Sequence, residues 1–388
     1  MIVLMKCLLA LCLIFSMLLP AAAGGEAGSE MDLLAINVGK ADCLLLLYAD
    51  KTYMIDTGSA ESWGAVSATL KANGITSLDG VILTHTDKDH AGGMMALATS
   101  SVAVGEWYAS AYFCEVKEKN HPAVLAAAVR GKEVVWLRSG DSLPFADGRL
   151  SVLGPTRYFE DKENNNSLVL YAEAAGCTML LAGDMEEPAE QLLLQAGLAP
   201  RADVLKVGHH AEGDATSEAF ARAVQPKLAV ISTNSVAEPD TPSRRVLKLL
   251  KALGAQVALT ENASGGVLVT CREGRISCDL VGWPEPPAVV AGIELSAKDN
   301  AADTVTLRNT GSEAADLSGW YVVSERGMDI YVLPEGTVLA AGASLTVGTR
   351  TTKEDTDLLW PDKNVWHDSK DDPAGLYDVY GRFISHID

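Results

Sequence analysis

Between residues 32 and 282, short apolar runs alternate with turn residues and with stretches of helical spacing. The pattern predicts strands near 32–38, 42–48 and 52–56, each bounded by turn formers. Residues 62–73 place Trp63, Val66 and Leu70 on one helical face before Asn73-Gly74 stops the helix. The run Leu78 to Leu83 reads as a buried strand, and Gly93 to Leu97 begins another helix. Short strands and a helix over 122–130 fill 102–153, and hairpin-like strands at 167–173 and 177–182 end at Gly183-Asp184. Helices at 187–196, 216–224 and 242–253 then alternate with strands at 203–207, 228–232, 256–259 and 266–271, with a hairpin partner near 275–280. Two blocks of strands with helices outside predict an α/β fold, a four-layer αββα sandwich.

The pattern divides the chain into four parts. Residues 1–23 carry one early cation (Lys6), an apolar run from Leu8 to Leu19 and Ala21-Ala22-Ala23, the form of a secretory signal peptide. A hydrolase-like segment spans 31–282. The stretch 283–289, with Trp283-Pro284-Glu285-Pro286-Pro287, is a stiff Pro-rich linker. From 290 to 388 short strands (303–308, 320–323, 329–333, 343–347) follow one another with hardly any helix, which predicts a small all-β sandwich. Trp320 is expected in its core, and Trp360 and Trp366 read more simply as core than as contact surface. No later segment has the length and apolarity of a membrane span.

The stretch Thr84-His85-Thr86-Asp87-Lys88-Asp89-His90-Ala91-Gly92 follows the buried strand directly. Four potential ligands (His85, Asp87, Asp89 and His90) fall within six positions, and Gly92-Gly93 lets the backbone turn tightly into the next helix. Imidazoles and carboxylates so crowded are made favourable by a pair of divalent ions, spaced about 3.5–4 Å apart in two-metal hydrolases. His85 and Asp87 are expected to hold one ion, Asp89 and His90 the other; a charged turn with two chance histidines is the bland alternative. Asp184, taken alone, reads as an Asx turn or helix cap. His209-His210 ends an apolar strand, where alternating side chains let one face a metal and the other a substrate. The residues leave the order of that pair open.

Charge and cysteine content narrow the partners. The net charge is −20, and residues 287–388 carry 17 acids against 8 bases, so both segments are acidic. Phosphate-backbone binding rests on Lys and Arg contacts, so tight duplex binding is disfavoured. Cys43, Cys114, Cys177, Cys271 and Cys278 are scattered and form no disulfide framework, although Cys271 and Cys278 flank a hairpin turn at Glu273-Gly274.

The metal loop resembles the HxHxDH signature of the metallo-β-lactamase superfamily, in its HxDxDH variant. Ile36-Asn37-Val38-Gly39-Lys40-Ala41-Asp42, Met54-Ile55-Asp56-Thr57-Gly58, Asn164-Asn165-Asn166-Ser167, Leu181-Ala182-Gly183-Asp184 and Asp203-Val204-Leu205-Lys206-Val207-Gly208-His209-His210 extend the likeness over about residues 32–282. They resemble the ComEC-type branch, named for the hydrolase domain of the bacterial competence DNA-uptake protein. The resemblance implies the αββα fold, Asp184 as the carboxylate between two metals, His210 as a ligand, His209 in substrate or transition-state contact, and Asn165 orienting substrate or water. Asp89 is both ligand and catalytic residue in this reading. Two departures stand out: Ala211-Glu212-Gly213 where the family has Gly-Ser after the histidines, and Ala237-Glu238-Pro239-Asp240-Thr241-Pro242 where many relatives have Tyr-Gly-His-Pro. Asp240 is then either a substitute ligand or the mark of an open metal position. Residues 290–388 resemble a lamin-tail domain, an immunoglobulin-like module, on Thr306-Leu307-Arg308-Asn309-Thr310-Gly311, Asp316-Leu317-Ser318-Gly319-Trp320 and Trp360-Pro361-Asp362-Lys363-Asn364-Val365-Trp366.

Together these readings predict a secreted or envelope-associated hydrolase with two divalent metal ions, zinc or manganese, acting as a phosphodiesterase or nuclease. DNA is the first substrate suggested. A cell-envelope polymer is the second and suits the acidity better. A noncatalytic binding protein with a decayed site is a third reading, supported mainly by the Glu238-Pro239-Asp240 loop. The C-terminal module is expected to tether the enzyme to envelope or protein, so that a chain ending near Pro286 keeps its metals and its small-substrate rate.

Overall fold

The computed structural model describes residues 30–113, 120–160, 162–283, 288–327, 329–353, 355–361, 365–367 and 370–388. The signal-like segment, Cys114 and Pro284 to Pro287 lie outside the described residues.

The first half of the hydrolase segment runs β1 (Glu30–Ile36), β2 (Leu44–Tyr48), β3 (Lys51–Ile55), α1 (Trp63–Ala72), β4 (Ser77–Leu83), α2 (Lys88–Ala91), α3 (Met94–Thr99), β5 (Ala103–Ser110), α4 (Pro122–Val129) and β6 (Val134–Leu137). The second half runs β7 (Ser142–Leu143), β8 (Arg149–Gly154), β9 (Val169–Ala174), β10 (Cys177–Leu181), α5 (Glu187–Gln195), β11 (Val204–Lys206), α6 (Glu218–Val224), β12 (Leu228–Ile231), α7 (Arg244–Ala252) and β13 (Gln256–Leu259). The hairpin β14 (Gly266–Arg272) and β15 (Arg275–Val281) returns to the first sheet. That sheet has the order β15-β14-β1-β2-β3-β4-β5-β6, and the second has β13-β12-β11-β10-β9-β8-β7.

Strand β1 shows why the apolar runs are nearly continuous rather than alternating with polar residues. Met31, Leu33 and Ala35 point into the core between the sheets, where they meet Leu150, Leu170 and Met179. Leu34 and Ile36 point the other way, into the layer formed by Trp63 and Val66 of α1 and Leu97 of α3. Both faces of the strand are buried, so both must be apolar. A third cluster closes the far side, with Leu193, Phe220 and Leu250 from α5, α6 and α7 lying on Leu205 and Ile231. The result is the four-layer α/β sandwich.

The parallel strands β3 to β6 and β10 to β13 set the site. In such sheets functional residues gather beyond the carboxyl ends of the strands. Here His85 follows β4, Asp184 follows β10 and His210 follows β11. The strand expected over 42–48 begins only at Leu44. Asp42 instead turns beneath the metal loop, its amide donating to the Asp89 carbonyl at 3.1 Å.

The C-terminal part is all β: β16 (Ile293–Asp299), β17 (Thr304–Asn309), β18 (Ala315–Asp316), β19 (Tyr321–Ser324), β20 (Asp329–Val332), β21 (Val338–Leu339), β22 (Ser344–Thr349), β23 (Leu358–Trp360), β24 (Ala374–Tyr377) and β25 (Phe383–Ile387). Two four-stranded sheets, β16-β17-β22-β23 and β20-β19-β24-β25, are accompanied by a separate two-stranded pair, β18-β21. Trp320, Trp360 and Trp366 are all buried in its core.

This sandwich is not a free-standing tether. Tyr321, Val323, Ile330 and Val332 belong to the same apolar cluster as Trp63, Met94, Leu97 and Ala98. The approach is close enough that a Cβ on Gly64 of α1 would run into the Gly381 backbone. The expectation of a separable module therefore gives way to one shared core, because one face of β19 and β20 is covered by α1 and α3.

Candidate metal centre

The loop after β4 is shaped by its contacts with the segment after β3. A Cβ on Gly92 would run into the Ala60 amide nitrogen, and one on Gly93 into the Thr57 carbonyl. Only glycines allow the loop to lie that close. The Thr57 amide and hydroxyl in turn donate to the His90 carbonyl at 2.7 and 3.0 Å, which fixes the backbone of that histidine.

Asp89, His90, Asp184 and His210 offer donor atoms that all lie within 4.8 Å of one another. His90 Nε2 is 3.1 Å from Asp184 Oδ2, and His210 Nε2 lies 3.3 Å from Asp89 Oδ2 and 3.4 Å from Asp184 Oδ2. The His85 ring stands 4.2 Å from that of His90, with its Nε2 3.7 Å from Asp87. All three imidazoles are fully buried, yet their Nε2 atoms have no hydrogen-bond partner among the described residues, nor has Asp184 Oδ1. Buried polar atoms without partners are costly unless something binds them.

The backs of the three rings show which tautomer each adopts. Thr84 Oγ1 donates to Asp56 at 2.8 Å, so its oxygen accepts from His85 Nδ1–H at 3.0 Å. Asp56 accepts from His90 Nδ1–H at 2.7 Å, and the Ser232 carbonyl from His210 Nδ1–H at 3.1 Å. Each Nε2 is thereby left with its lone pair facing the cluster, the form a metal requires. The donor set of three imidazoles and three carboxylates fits divalent metal ions.

The electrostatics point the same way. Burial opposes ionisation of Asp184, but the facing His210 and His90 hold its carboxyl well below the ordinary range. Burial likewise opposes ionisation of Asp89, yet the facing His210 and the charge of His90 bring it down to about 2. Burial lowers the imidazoles, but Asp184 outweighs it, with Asp56 pushing His90 well up and Asp89 and Asp42 helping to bring His210 to about 9. The pocket demands positive charge.

His209-His210 does not sit on a strand end. β11 stops at Lys206, and Gly208–Ala211 forms a 3-10 turn in which His209 (φ 46°, ψ 46°) and His210 (φ 51°, ψ 25°) are left-handed. Consecutive non-glycine residues there are strained, a cost of order 1–3 kcal/mol each. The turn is locked by the His209 amide donating to the Gly183 carbonyl at 3.2 Å, beside Asp184. The rings diverge as expected, by turn geometry rather than strand alternation. His210 enters the cluster. His209 faces away from it, with Nδ1 2.9 Å from Asp214 and Nε2 3.1 Å from Asn164 Nδ2.

Asn165 is buried and its amide is engaged at both ends, donating to Glu186 at 2.8 Å and accepting from the Ala189 amide at 3.2 Å. It props the start of α5, and Asn164 is the asparagine that meets His209. Asp240 is exposed in an exposed loop and is not among the converging donors. Glu212, the added acid, pairs with Lys40 at 2.5 Å. Three supporting residues lie in the motifs that carry the resemblance but were given no role there: Asp56, Asp42 and Lys206. Lys206 is fully buried and pairs with Asp42 at 2.7 Å, while Asp42 Oδ1 stands 3.8 Å from His210 Nδ1. A lysine and an aspartate inside apolar stretches were the available signal.

Residues 36–235 match the family model described as Metallo-beta-lactamase superfamily. The chain belongs to that superfamily. Residues 287–388 of this metallo-beta-lactamase superfamily member match the Lamin Tail Domain. The chain is 31% identical over 251 residues to ComE operon protein 3 of Bacillus subtilis (strain 168), covering 60% of this chain and 32% of that one. It is 27% identical over 227 residues to Competence protein ComA of Neisseria gonorrhoeae, covering 58% and 30%. The match thus spans about a third of the length of these relatives. Among solved structures it is similar to the metallo-beta-lactamase fold protein YhfI from Bacillus subtilis (TM-score 0.43, 14% identity, 62% of this chain and 99% of that one). It is also similar to a diphosphatase of the PhnP family (TM-score 0.38, 14% identity, 62% and 97%).

Proposed function

We propose that the protein is an exported metal-dependent phosphodiesterase. The observation that carries this reading is the convergence of the His90 and His210 Nε2 atoms with Asp89 and Asp184, with the His85 ring beside that of His90, in a buried pocket whose imidazoles are oriented from behind. His85 and Asp87 would hold one ion and Asp89, His90 and His210 the other, with Asp184 as a further ligand. Zinc or manganese held there would lower the pKa of water toward ~7 and so supply hydroxide at neutral pH. His209, which faces away from the donor cluster and is held by Asp214 and Asn164, is assigned to substrate rather than to metal. Asn164 positions that ring, and Glu186 ties Asn164 and Asn165 to α5. Export rests on residues 1–23, and the competence relatives are the reason to test nucleic acid first.

An envelope polymer or its phosphorylated head group is the second reading, favoured by the net charge of −20. The test is metal analysis of the purified protein with turnover on a panel of single-stranded DNA, duplex DNA, teichoic-acid-type polymer and a small aryl diester. Asp89→Ala with His90→Ala removes bound metal and turnover together while the fold survives. Wild-type turnover in that double variant overturns the reading.

A further inference from the structure

Beside the metal loop a cleft of about 210 Å³ opens between the two domains. Thr86, Lys88 and Gly92 of the metal loop form one wall, Glu61 and Pro122 another, and Gly327 of the C-terminal sandwich closes it. Lys88 is exposed and lies in sequence between Asp87 and Asp89. It is the only cation among the described lining residues, and Glu61 is the only acid.

The wall from the C-terminal domain is built, not incidental. Gly327 lies in the turn between β19 and β20. Asp372, which is buried, accepts from the Ser324 hydroxyl at 3.0 Å and from the Arg326 amide at 3.1 Å. The Gly327 amide donates back to Ser324 Oγ at 3.3 Å. The turn is also carried on β19 and β20, whose Val323 and Ile330 sit in the core shared with α3. One unit therefore fixes the metal loop and the turn relative to each other.

We propose that this cleft is a substrate subsite shared by the two domains, taking the residue that flanks the scissile phosphodiester. The proposal rests on the phosphodiesterase reading. A volume of about 210 Å³ is room for about seven waters at ~30 Å³ each, which suits one sugar- or base-sized group and not a duplex. Lys88 meets the anionic group next to the scissile phosphate. Glu61 opposes it and limits how much negative charge the subsite accepts. The C-terminal domain thus takes part in substrate selection beside the metals.

The test uses the full-length, metal-loaded protein with two substrates, a single-stranded trinucleotide and bis(p-nitrophenyl) phosphate, which carries no second phosphate to meet Lys88. Lys88→Gln is expected to raise KM for the trinucleotide roughly fivefold and Glu61→Gln to lower it by a similar factor. Gly327→Glu, acting from the other domain, is expected to raise it as Lys88→Gln does. In each case the change falls in KM rather than kcat and is larger for the trinucleotide than for the aryl diester. Metal content is measured for every variant. If Lys88→Gln loses metal, Gly327→Glu and Glu61→Gln decide the matter. Equal effects on both substrates, or Lys88→Gln and Glu61→Gln moving KM in the same direction, overturn the subsite. If the wild-type protein cleaves neither diester, the phosphodiesterase reading fails by itself. The subsite is then judged from Kd for a labelled trinucleotide, which must follow the same order among the variants.

Discussion

His90 and Asp56 form a buried pair in which the imidazole Nδ1 stands 2.7 Å from the carboxylate Oδ2, with the two side chains 0% and 1% exposed. The same carboxylate also accepts from the Thr84 amide and hydroxyl, each at 2.8 Å. Asp56 therefore sets the tautomer of His90 directly and that of His85 through Thr84. Asp56→Asn keeps the size but replaces one acceptor with a donor, which faces a ring that must also donate. Outer-shell changes of this kind typically cost about 10–100-fold in metal affinity or activity. The expected outcome is a loss of that order in affinity for zinc or manganese, measured by competition with a chelating dye. Unchanged affinity would show that the ring orientation is held by packing alone.

The charge on the donor set predicts a proton count. In the metal-free protein His210 is held at about 9 and His90 well above its ordinary value, so both carry protons at pH 7. Ligation needs the neutral rings, so metal entry expels protons. Apparent affinity therefore rises with pH, and less steeply above about 9, where His210 has already lost its proton. Calorimetric titrations in buffers of different ionisation enthalpy should show protons released per metal at pH 7 and fewer at pH 9.5. Equal release at both pH values would contradict the arrangement.

Much of the site is legible along the chain, and the gaps have physical causes. His85, Asp87, Asp89 and His90 are neighbours in one loop, so their spacing alone brings them together. Asp184 and His210 come from β10 and β11, and their role needed the family likeness because a single Asp after a glycine reads first as a turn. The left-handed turn at His209 to Ala211 has no local signal: histidine and alanine do not favour that conformation, and tertiary contacts with Gly183 impose it. Asp56 and the Asp42–Lys206 pair were hidden for a related reason. Each is one polar residue in an apolar stretch, and what it faces is decided by strands distant in sequence. The shared core of the two domains was also invisible, since Val323 and Ile330 would be apolar in any β-sandwich whether or not α3 covered them.

Acidity makes a prediction about how substrates are held. A protein that neutralises Z phosphates loses affinity with a log–log salt slope of about −0.7Z on single strands and about −0.9Z on duplex DNA. With few cations near the cluster, binding of a single-stranded oligonucleotide should have a slope shallower than about −2. Duplex DNA should be the poorer substrate at physiological salt. KM measured from 50 to 300 mM salt on both forms is the check. Efficient duplex cleavage with a steep slope would reveal a basic groove that neither the composition nor the described surface suggests.

Removing the C-terminal domain should damage the enzyme rather than merely release it. Tyr321, Val323, Ile330 and Val332 cover Trp63 of α1 and Met94, Leu97 and Ala98 of α3. Fully burying a large apolar side chain is worth about 1.5–3 kcal/mol, so exposing this face costs on the order of 5 kcal/mol, a large fraction of a typical domain's stability. The loss falls close to the chemistry, because α3 begins two residues after Gly92 and the Gly92-Gly93 backbone is what holds the metal loop against Thr57 and Ala60. A chain ending near Pro286 is therefore expected to unfold at lower denaturant, to self-associate through the uncovered face and to bind metal weakly. Polar substitution of that face, Met94→Gln with Leu97→Gln, should reduce the self-association without restoring the metal loop. Equilibrium unfolding, sedimentation and metal content of the full-length and shortened chains decide the question. A shortened chain as stable as the whole, with full metal and full turnover on a small diester, would show that the two domains share a surface but not a function.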